Sequence, residues 1–299
     1  MSLTIGVLAA DNIAVGLVEN HQIVGTVSLY PEQRHHHDAF EGMHAETIVQ
    51  HIQQQIDAVR GGQEIAAVGL GLAGITKDGL VEESPNLQQI KGHNLGAMLA
   101  DSLTAAGLNA PVKVLNDADA IAAGIAATRG HLDKIIRVWF LGNGIGYGRY
   151  PHTGGILEGG HTVVSLDPKE RFCSCGGIGH LEGIMGYRAM RLRFLDLEPE
   201  EVFQEAQQGD ERCRNFVELW HRALAAATAT SIHLVGSGKF YITGPNAQYL
   251  QVQMMQTYLD EMVTMSLLRG SSLEIITTGN EDAIVGAAVS AAQAYGIES

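Results

Sequence analysis

The sequence predicts an α/β fold, because short apolar runs alternate with segments of helical periodicity along most of its 299 residues. Many of the apolar runs end in glycine and are followed by a helical segment, which is typical of α/β proteins. Glycine is concentrated between residues 142 and 186, where it separates two regular halves. The length suits about two domains, and 45% hydrophobic residues are enough for a large core.

The first half is predicted to begin as a hairpin or meander of strands, because its first apolar stretches are separated by polar turns. A helix follows, since Ile48, Ile52 and Ile56 recur at helical spacing. The predicted strands of this half are Ile5–Val7, Ala14–Val18, Gln22–Leu29, Ile65–Leu72, Val112–Leu115 and Ile135–Leu141. The predicted helices are Thr47–Arg60, Leu95–Ala106 and Asp119–Thr128.

The middle of the chain, from Tyr150 to Gly183, is predicted to be rich in loops, and the second half returns to alternating elements. Helices are predicted at Arg188–Leu195, Glu200–Gln207, Arg214–Val235, Tyr249–Met265 and Asp282–Tyr295. Strands are predicted at Phe240–Ile242 and Leu273–Thr277. Gly244 and Gly279 follow these two strands, at positions where α/β proteins bind nucleotides or simply pack a helix against a strand.

Charge and composition exclude several classes of protein. The chain has 19 Lys plus Arg against 33 Asp plus Glu, a net charge of −14, so a nucleic-acid partner is not expected. No apolar run approaches the length of a membrane span, and the start has no signal-peptide pattern. Three cysteines are an odd number for a disulfide framework. A cytoplasmic protein with thiols available for metal is therefore expected.

A candidate general base follows the strand Val112–Leu115. One interpretation makes Asp117 a base that removes a proton from a substrate hydroxyl, with Asn116 bonded to the same alcohol. The other makes Asp119 a helix N-cap and Asp117 merely its neighbour. Local sequence does not decide between them.

Four glycines alternate over residues 142–148, directly after the strand that ends at Leu141. Such a stretch lets the backbone approach a ligand closely and turns N–H groups toward an anion, as polyphosphate binding requires. A glycine-rich hairpin with positive-φ turns is an equally good interpretation. The spacing matches neither the Walker A pattern nor the dinucleotide fingerprint.

A metal site is predicted from Cys173, Cys175 and His180, with His161 standing before them. Two thiolates and two imidazoles make a closed tetrahedral zinc site, and the glycines around them let the backbone fold about an ion. The alternative is two incidental thiols in a loop. The adjacent residues His35, His36 and His37 receive no role, because neighbouring side chains point in different directions.

Taken in order, these motifs resemble those of the ROK family of sugar kinases, which includes bacterial glucokinases and N-acylhexosamine kinases. The family's Asn-Asp-Ala stretch matches residues 116–118, and G-T-G-x-G-x-G matches residues 142–148, with asparagine replacing threonine. G-E-x-G-H matches residues 157–161 without its first glycine. C-x-C-G-x-x-G-C-L-E matches residues 173–182, with histidine replacing the last cysteine. The resemblance covers nearly the whole chain.

The resemblance implies an actin-like (ribonuclease H-like) two-lobed fold with the site in the cleft. An N-terminal α/β lobe is expected over residues 1–115, and a C-terminal α/β lobe with the zinc loop over residues 116–282. The closing helix, residues 283–299, is expected to pack back on the first lobe. The resemblance also implies ATP with Mg²⁺ as phosphoryl donor, a hexose or N-acylhexosamine as acceptor, and a homodimer.

The roles of individual residues follow from the same resemblance. Asp117 would take the proton from the 6-hydroxyl of the sugar. The sugar would be held by Gly74, Asn86, Asn116, Asp117, Glu158, His161 and Glu182. ATP would lie on Gly142, Asn143, Gly144, Gly146 and Gly244. Structural zinc would be held by His161, Cys173, Cys175 and His180, so that His161 would serve both metal and sugar.

One departure from the family divides the functional hypotheses. The family's first strand ends D-x-G-G-T, whereas residues 8–12 read Leu-Ala-Ala-Asp-Asn, so that Leu8 replaces the aspartate that helps to position magnesium. Asp11 lies out of register with it. The principal hypothesis is a glucokinase-like enzyme, and the alternative is a non-catalytic sugar-binding or regulatory protein. A repressor is not expected, because the chain opens on its first strand and is acidic.

Overall fold

The computed structural model describes residues 2–10, 12–31, 42–84, 87–152 and 155–297. Its strands are β1 (Thr4–Ala9), β2 (Ile13–Glu19), β3 (Gln22–Tyr30), β4 (Ala67–Leu72), β5 (Ile75–Lys77), β6 (Leu80–Glu83), β7 (Val112–Asn116), β8 (Ile136–Leu141), β9 (Ile145–Tyr150), β10 (Lys239–Thr243) and β11 (Ser272–Ile275). Its α-helices are α1 (Ala45–Arg60), α2 (Leu95–Ala105), α3 (Asp117–Thr128), α4 (Leu181–Met185), α5 (Tyr187–Arg193), α6 (Pro199–Gln208), α7 (Glu211–Val235), α8 (Val252–Met262) and α9 (Asn280–Ala294).

The chain divides into two compact units. The first comprises residues 1–136, 148–156 and 278–299, and the second comprises residues 137–147 and 157–277. The predicted lobes, with their boundary between residues 115 and 116, stay a prediction.

The first unit is built on a five-stranded sheet of order β3-β2-β1-β4-β7. The strands β1, β2 and β3 pair antiparallel, whereas β1, β4 and β7 run parallel. Ala9 pairs with Leu72, and Leu72 pairs with Asn116, so the three parallel strands end at the same level. This alignment forms the carboxyl edge at which α/β sheets present functional side chains.

Helices cover both faces of this sheet. Apolar side chains of α1 and α2 share one core cluster with inward-facing residues of β1, β2 and β4. On the other face α9 contacts β1 and β4, and α3 contacts α9. A Cβ atom at Gly286 of α9 would collide with the carbonyl of Ala120 in α3, so these two helices approach almost backbone to backbone. The position of α3 is therefore determined by close helix packing as well as by the strand before it.

The second unit contains β10, β11, nearly all of β8 and the first three residues of β9, from a sheet of order β11-β10-β8-β9 in which β10 and β11 are parallel. Its core cluster draws on β8 and β10 and on the helices α4 to α8, with Trp139 and Trp220 fully buried. Trp139 donates from Nε1 to the Thr228 hydroxyl at 3.1 Å, which satisfies its one polar atom.

The predicted alternation of strands and helices is confirmed, with three local differences. A short antiparallel hairpin of β5 and β6 follows β4, in a stretch where no strand was predicted. The glycine-rich segment 142–148, for which a phosphate-binding loop and a hairpin were both open, forms a tight turn and the start of strand β9, because glycine is tolerated in a strand where another backbone approaches closely. The predicted loop-rich middle contains the short helix α4. Among the described residues, no helix combines the length and the apolar character needed to cross a membrane.

Candidate functional site

The first candidate region is the sheet-edge cluster, which comprises Gly74, Asn116 and Asp117. Asn116 ends β7 and Asp117 begins α3. The Asn116 amide donates to the carbonyl oxygen of Gly74 at 3.0 Å, which ties the end of β7 to the loop after β4. The Asp117 carboxylate accepts the Ala118 N–H at 2.9 Å. This carboxylate lies in the first turn of α3, at the positive end of the helix dipole.

The structure decides which residue caps α3. The Asn116 side chain accepts from the N–H groups of Ala118 at 2.8 Å and of Asp119 at 3.4 Å, so Asn116 is the N-cap. The interpretation that Asp119 caps this helix is therefore wrong. Asp119 lies within the first turn, and its side chain is only 9% exposed.

Leu8 lies at the same sheet edge. It belongs to β1, pairs with Gly71 of β4 and is 8% exposed. A Cβ atom at Gly71 would lie 3.8 Å from the Cα of Asp117, so the backbone of β4 passes directly under the start of α3. Leu8 brings an apolar side chain to this edge, and it cannot bind a cation.

Asp119 has partners of its own in the first unit. Its Oδ1 accepts the backbone N–H of Arg149 at 2.8 Å, and its Oδ2 lies 3.2 Å from Nδ1 of His152. The hydrogen bond to Asp119 raises the pKa of His152 above its ordinary value, while burial and the charges of Lys113 and Arg149 oppose the rise. Neither partner could be identified from the sequence, because they are some 30 residues away along the chain.

In the second unit, the turn between β8 and β9 is held from three sides. The carbonyl of Gly142 accepts the N–H of Tyr187 and the side-chain amide of the buried Asn246, each at 3.1 Å. Gly244 lies against the backbone of Leu141 and has φ of +97°. None of the four alternating glycines has positive φ, so the hairpin interpretation is wrong in its positive-φ turns. At Gly144 the requirement is space, because a Cβ atom would lie 2.6 Å from Oε2 of Glu182.

Residues 159–183 form a segment that we call the metal loop. Glu182, which belongs to this segment, links it to the turn between β8 and β9. Its Oε2 accepts the N–H of Ile145 at 3.2 Å, and its Oε1 accepts the hydroxyl of Ser174 at 2.9 Å. Cys173 Sγ lies 3.6 Å from the same Oε1. One carboxylate therefore contacts both the glycine turn and the loop that carries the thiols, and the contact from Ser174 was not predicted.

The metal loop brings the four predicted metal ligands together. The potential ligand atoms of His161, Cys173, Cys175 and His180 all lie within 4.8 Å of one another. The distances are 3.4 Å between the two sulfur atoms, 3.2 Å between the two Nδ1 atoms, 3.2 Å from Cys175 to His180 and 3.6 Å from Cys173 to His161. Zinc bonds of about 2.0–2.3 Å give tetrahedron edges of about 3.3–3.8 Å. The four groups fit a tetrahedral zinc ion in both chemistry and spacing.

The surroundings of this cluster match those of a metal centre. Nε2 of His161 lies 3.9 Å from Oε2 of Glu158, while its Nδ1 faces the cluster. A carboxylate on the far nitrogen is the usual way in which a ligating imidazole is oriented. A Cβ atom at Gly177 would collide with the ring of His180, so that glycine leaves room for the fourth ligand.

An ion pair braces the metal loop from outside the cluster. Arg193 of α5 grips both carboxylate oxygens of Glu170, and its guanidinium lies 4.3 Å from the ring centre of Phe172. The two charged side chains are only 18% and 12% exposed. The backbone N–H of Gly179 donates to the Glu170 carbonyl at 2.7 Å. The loop is thus cross-linked by groups that no sequence motif singled out.

Burial dominates the electrostatics of the cluster. It raises the pKa of the Cys173 thiol to about 12, with Cys175 and Glu182 adding to the rise. It also lowers the pKa of His180, and the charge of His161 lowers it further. A thiolate at this position therefore needs a neighbouring cation, and the imidazole of His180 is favoured in the neutral, ligating form.

The predicted site residues fall into the two units. The first unit contains Gly74, Asn116 and Asp117, and the second contains Gly142, Asn143, Gly144, Gly146, Glu158, His161, Cys173, Cys175, His180, Glu182 and Gly244. Asn86, Asp11 and His35–His37 lie outside the described residues.

Comparison with known proteins agrees with this arrangement of motifs. A model of the ROK family matches residues 11–294. A glucokinase from Pyrobaculum calidifontis is 28% identical over 250 residues, which are 78% of this chain and 81% of that protein.

Solved structures extend the comparison to the fold. A ROK hexokinase from Thermus thermophilus covers 98% of this chain and 99% of its own, with a TM-score of 0.79 and 20% identity. A ROK family glucokinase from Streptomyces griseus, in complex with glucose and AMPPNP, covers 98% of this chain and 100% of its own, with a TM-score of 0.65 and 24% identity. The predicted α/β class with the actin-like, two-lobed fold is confirmed. The chain therefore belongs to the ROK family.

Proposed function

We propose that this ROK-family sugar kinase transfers the γ-phosphoryl group of ATP to the 6-hydroxyl of a hexose or N-acylhexosamine, with Asp117 as the general base. The observation that carries the proposal is the position of Asp117, the first residue of α3 at the carboxyl edge of three parallel strands, within the region of the family match. Relatives named glucokinase and hexokinase favour the reaction.

The protein is not expected to form a covalent intermediate, since catalysis of phosphoryl transfer depends mainly on positioning the reactants and stabilising charge. Asp117 accepts the hydroxyl proton as the oxygen attacks phosphorus. Its bond to the Ala118 N–H and the cap formed by Asn116 hold it in a defined orientation. Asn116 would be oriented toward the sugar by its bond to Gly74.

The remaining predicted residues divide between sugar and nucleotide. Carboxylates, an amide and an imidazole suit sugar hydroxyls, because they can accept and donate several hydrogen bonds. We assign the sugar to Gly74, Asn86, Asn116, Asp117, Glu158, His161 and Glu182. We assign ATP, bound with Mg²⁺, to Gly142, Asn143, Gly144, Gly146 and Gly244, which lie in or beside the turn between β8 and β9.

Zinc completes the proposal as a structural cofactor held by His161, Cys173, Cys175 and His180. When bound, it neutralises the thiolates and crosslinks the metal loop. Glu182 follows the last ligand by two residues and bonds the glycine turn, so the loop's order bears directly on this residue. Purified protein containing about one zinc per chain, measured by elemental analysis, is the expected result.

The experiment that tests the function is a coupled kinase assay at high ATP and magnesium with glucose, mannose, fructose, N-acetylglucosamine and N-acetylmannosamine. Asp117→Asn keeps the shape of the side chain and removes its basicity, so kcat should fall by about 10²–10⁴-fold. Asp101→Asn, at an exposed position of α2, is the matched control and should leave kcat unchanged. No turnover of any of these sugars by the wild type would reject the proposal.

Leu8 supports a second candidate, a non-catalytic sugar-binding or regulatory protein. Its buried apolar side chain stands at the edge where the family's aspartate would help to position magnesium. Thermal melts separate the two candidates, because a ligand that binds only the folded protein raises its melting temperature. Stabilisation by sugar with no shift from ATP and magnesium would favour the regulatory protein, whereas shifts from both favour the kinase.

A further inference from the structure

Asp119 is a nearly buried carboxylate two residues beyond the proposed base. A charge removed from water in this way requires specific partners, since burial of an unpaired carboxylate is costly. Both of its oxygens have one: the backbone N–H of Arg149 at 2.8 Å and Nδ1 of His152 at 3.2 Å. Arg149 and His152 belong to the segment 148–152 that ends and follows β9.

This segment lies directly on the first turn of α3. A Cβ atom at Gly148 would collide with the carbonyl of Ala118, so the two backbones are in contact. The Tyr150 hydroxyl accepts from the side-chain amide of Gln293 in α9 at 2.8 Å. The segment is therefore attached both to the turn that carries Asp117 and to the helix packed beside it, and Asp119 makes the only ionisable link described between segment and turn.

We propose that Asp119 and His152 are a positioning pair that fixes the first turn of α3 and thereby the orientation of Asp117. The inference rests on the proposed function of Asp117. Side chains two residues apart on a helix do not face each other, so Asp119 does not point to the same ligand as Asp117. It acts through the backbone of the turn, which it holds against segment 148–152.

The pair has a direction of pH dependence. The charged groups that face His152 are the carboxylate of Asp119 and the cations Lys113 of β7 and Arg149 of β9. The hydrogen bond to Asp119 raises the pKa of His152 above 6.5. The charged pair is therefore complete below the unfolded-state pKa and is lost as the pH rises through the raised pKa of the folded protein. The Asp119–His152 pair therefore stabilises the first turn of α3 most at pH values below the pKa of His152.

The test compares His152→Ala with His152→Asn, whose amide can donate from near the position of Nδ1 without a charge. We expect His152→Ala to lower kcat about three- to tenfold with the KM for ATP unchanged, because the His152 side chain is 43% exposed and water weakens its interaction with Asp119. The ratio of wild-type to His152→Ala kcat should be largest near pH 6 and fall as the pH rises. His152→Asn should restore part of kcat without restoring this pH dependence. His44→Ala, at the exposed N-cap of α1 where the side chain makes no capping hydrogen bond, is the control.

A second readout does not depend on activity. Hydrogen exchange of the amides at residues 117–119 should accelerate in His152→Ala and return toward the wild-type rate in His152→Asn. Asp119→Asn should lower the pKa of His152 seen by NMR. Unchanged exchange, or the same kcat and pH profile in an active His152→Ala enzyme, would overturn the positioning role while leaving the kinase intact. An inactive wild type with accelerated exchange would instead reject the proposed function and retain the pair.

Discussion

The sheet-edge cluster and the metal loop reach a defined geometry by different physical routes. In the sheet-edge cluster, strand register brings Leu72 and Asn116 to one level, and the helix cap orients the next residue. In the metal loop, regular structure is nearly absent, and order comes from Glu182, from the Arg193–Glu170 pair and from four potential metal ligands. Backbone pairing is robust to loss of a single side chain, whereas a cross-linked loop depends on each link.

The largest expected effect is removal of the metal. Cys173→Ser should abolish zinc retention and lower the stability of the second unit by about 4 kcal/mol or more, since only part of the roughly 10–16 kcal/mol of structural zinc binding is coupled to folding here. The corresponding fall in melting temperature is about 10 °C or more, measured by calorimetry. Proteolysis should then begin within the metal loop.

Cys213→Ala is the matched control for this change. Cys213 is buried in α7 and lies outside the ligand cluster, so its loss should leave the zinc content at the wild-type value. Hydrogen exchange in β1, β4 and β7 should not change in Cys173→Ser. Zinc retained by Cys173→Ser, or equal loosening of the strands and the metal loop, would contradict the comparison.

A smaller effect is expected from a change that perturbs the sheet-edge cluster alone. Gly286→Ala places a methyl group against the carbonyl of Ala120, and this contact can be relieved only by moving α3 away from α9. We expect a loss of about 2–3 kcal/mol and a lower kcat, because the start of α3 carries Asp117. Denaturant unfolding measures the loss of stability, and zinc analysis reports on the metal loop. The zinc content should stay at the wild-type value.

Ser290→Ala on the same helix controls for a general effect on α9. Its side chain is half-buried, and alanine is a strong helix former, so stability should not fall. Wild-type stability and activity in Gly286→Ala would mean that the backbone contact between the helices does not position α3.

The difference between order from backbone pairing and order from side-chain links also explains how far the sequence could predict the fold and the site. The sequence was sufficient to predict β1, β4, β7 and α3, because apolar runs and their periodicity are local features. Asn116 and Asp117 lie at the junction between β7 and α3, so their position could be predicted as well. The ligand set His161, Cys173, Cys175 and His180 was predictable because the chain has only three cysteines, two of them lie one residue apart, and thiols and imidazoles are chemically specific metal ligands. The structure places these four side chains together, and their occupation by zinc stays a prediction.

What could not be predicted depends on contacts between distant residues. The pairing of Asp119 with His152 and of Glu170 with Arg193 joins residues more than 20 positions apart, and charged side chains on their own are usually solvated. For the glycines of the turn after β8, the sequence offered two reasons, close approach to an anion or turns with positive φ. At Gly144 the reason is instead the carboxylate of Glu182, which is visible only once the metal loop is folded against the turn.

The smallest expected effect distinguishes a buried cross-link from an exposed one of the same chemistry. Arg193→Lys loses the two-pronged bond to Glu170 and the contact with Phe172, and a point charge cannot replace a planar fork. We expect a loss of about 1–2 kcal/mol and faster zinc extraction by a chelator, since the pair is largely buried. Arg212→Lys is the matched variant, because Arg212 also grips a carboxylate, Asp196, but both side chains are more than half exposed. Water screens that pair, so Arg212→Lys should change neither stability nor extraction rate. Equal behaviour of the two variants would show that the bond to Glu170 does not order the metal loop.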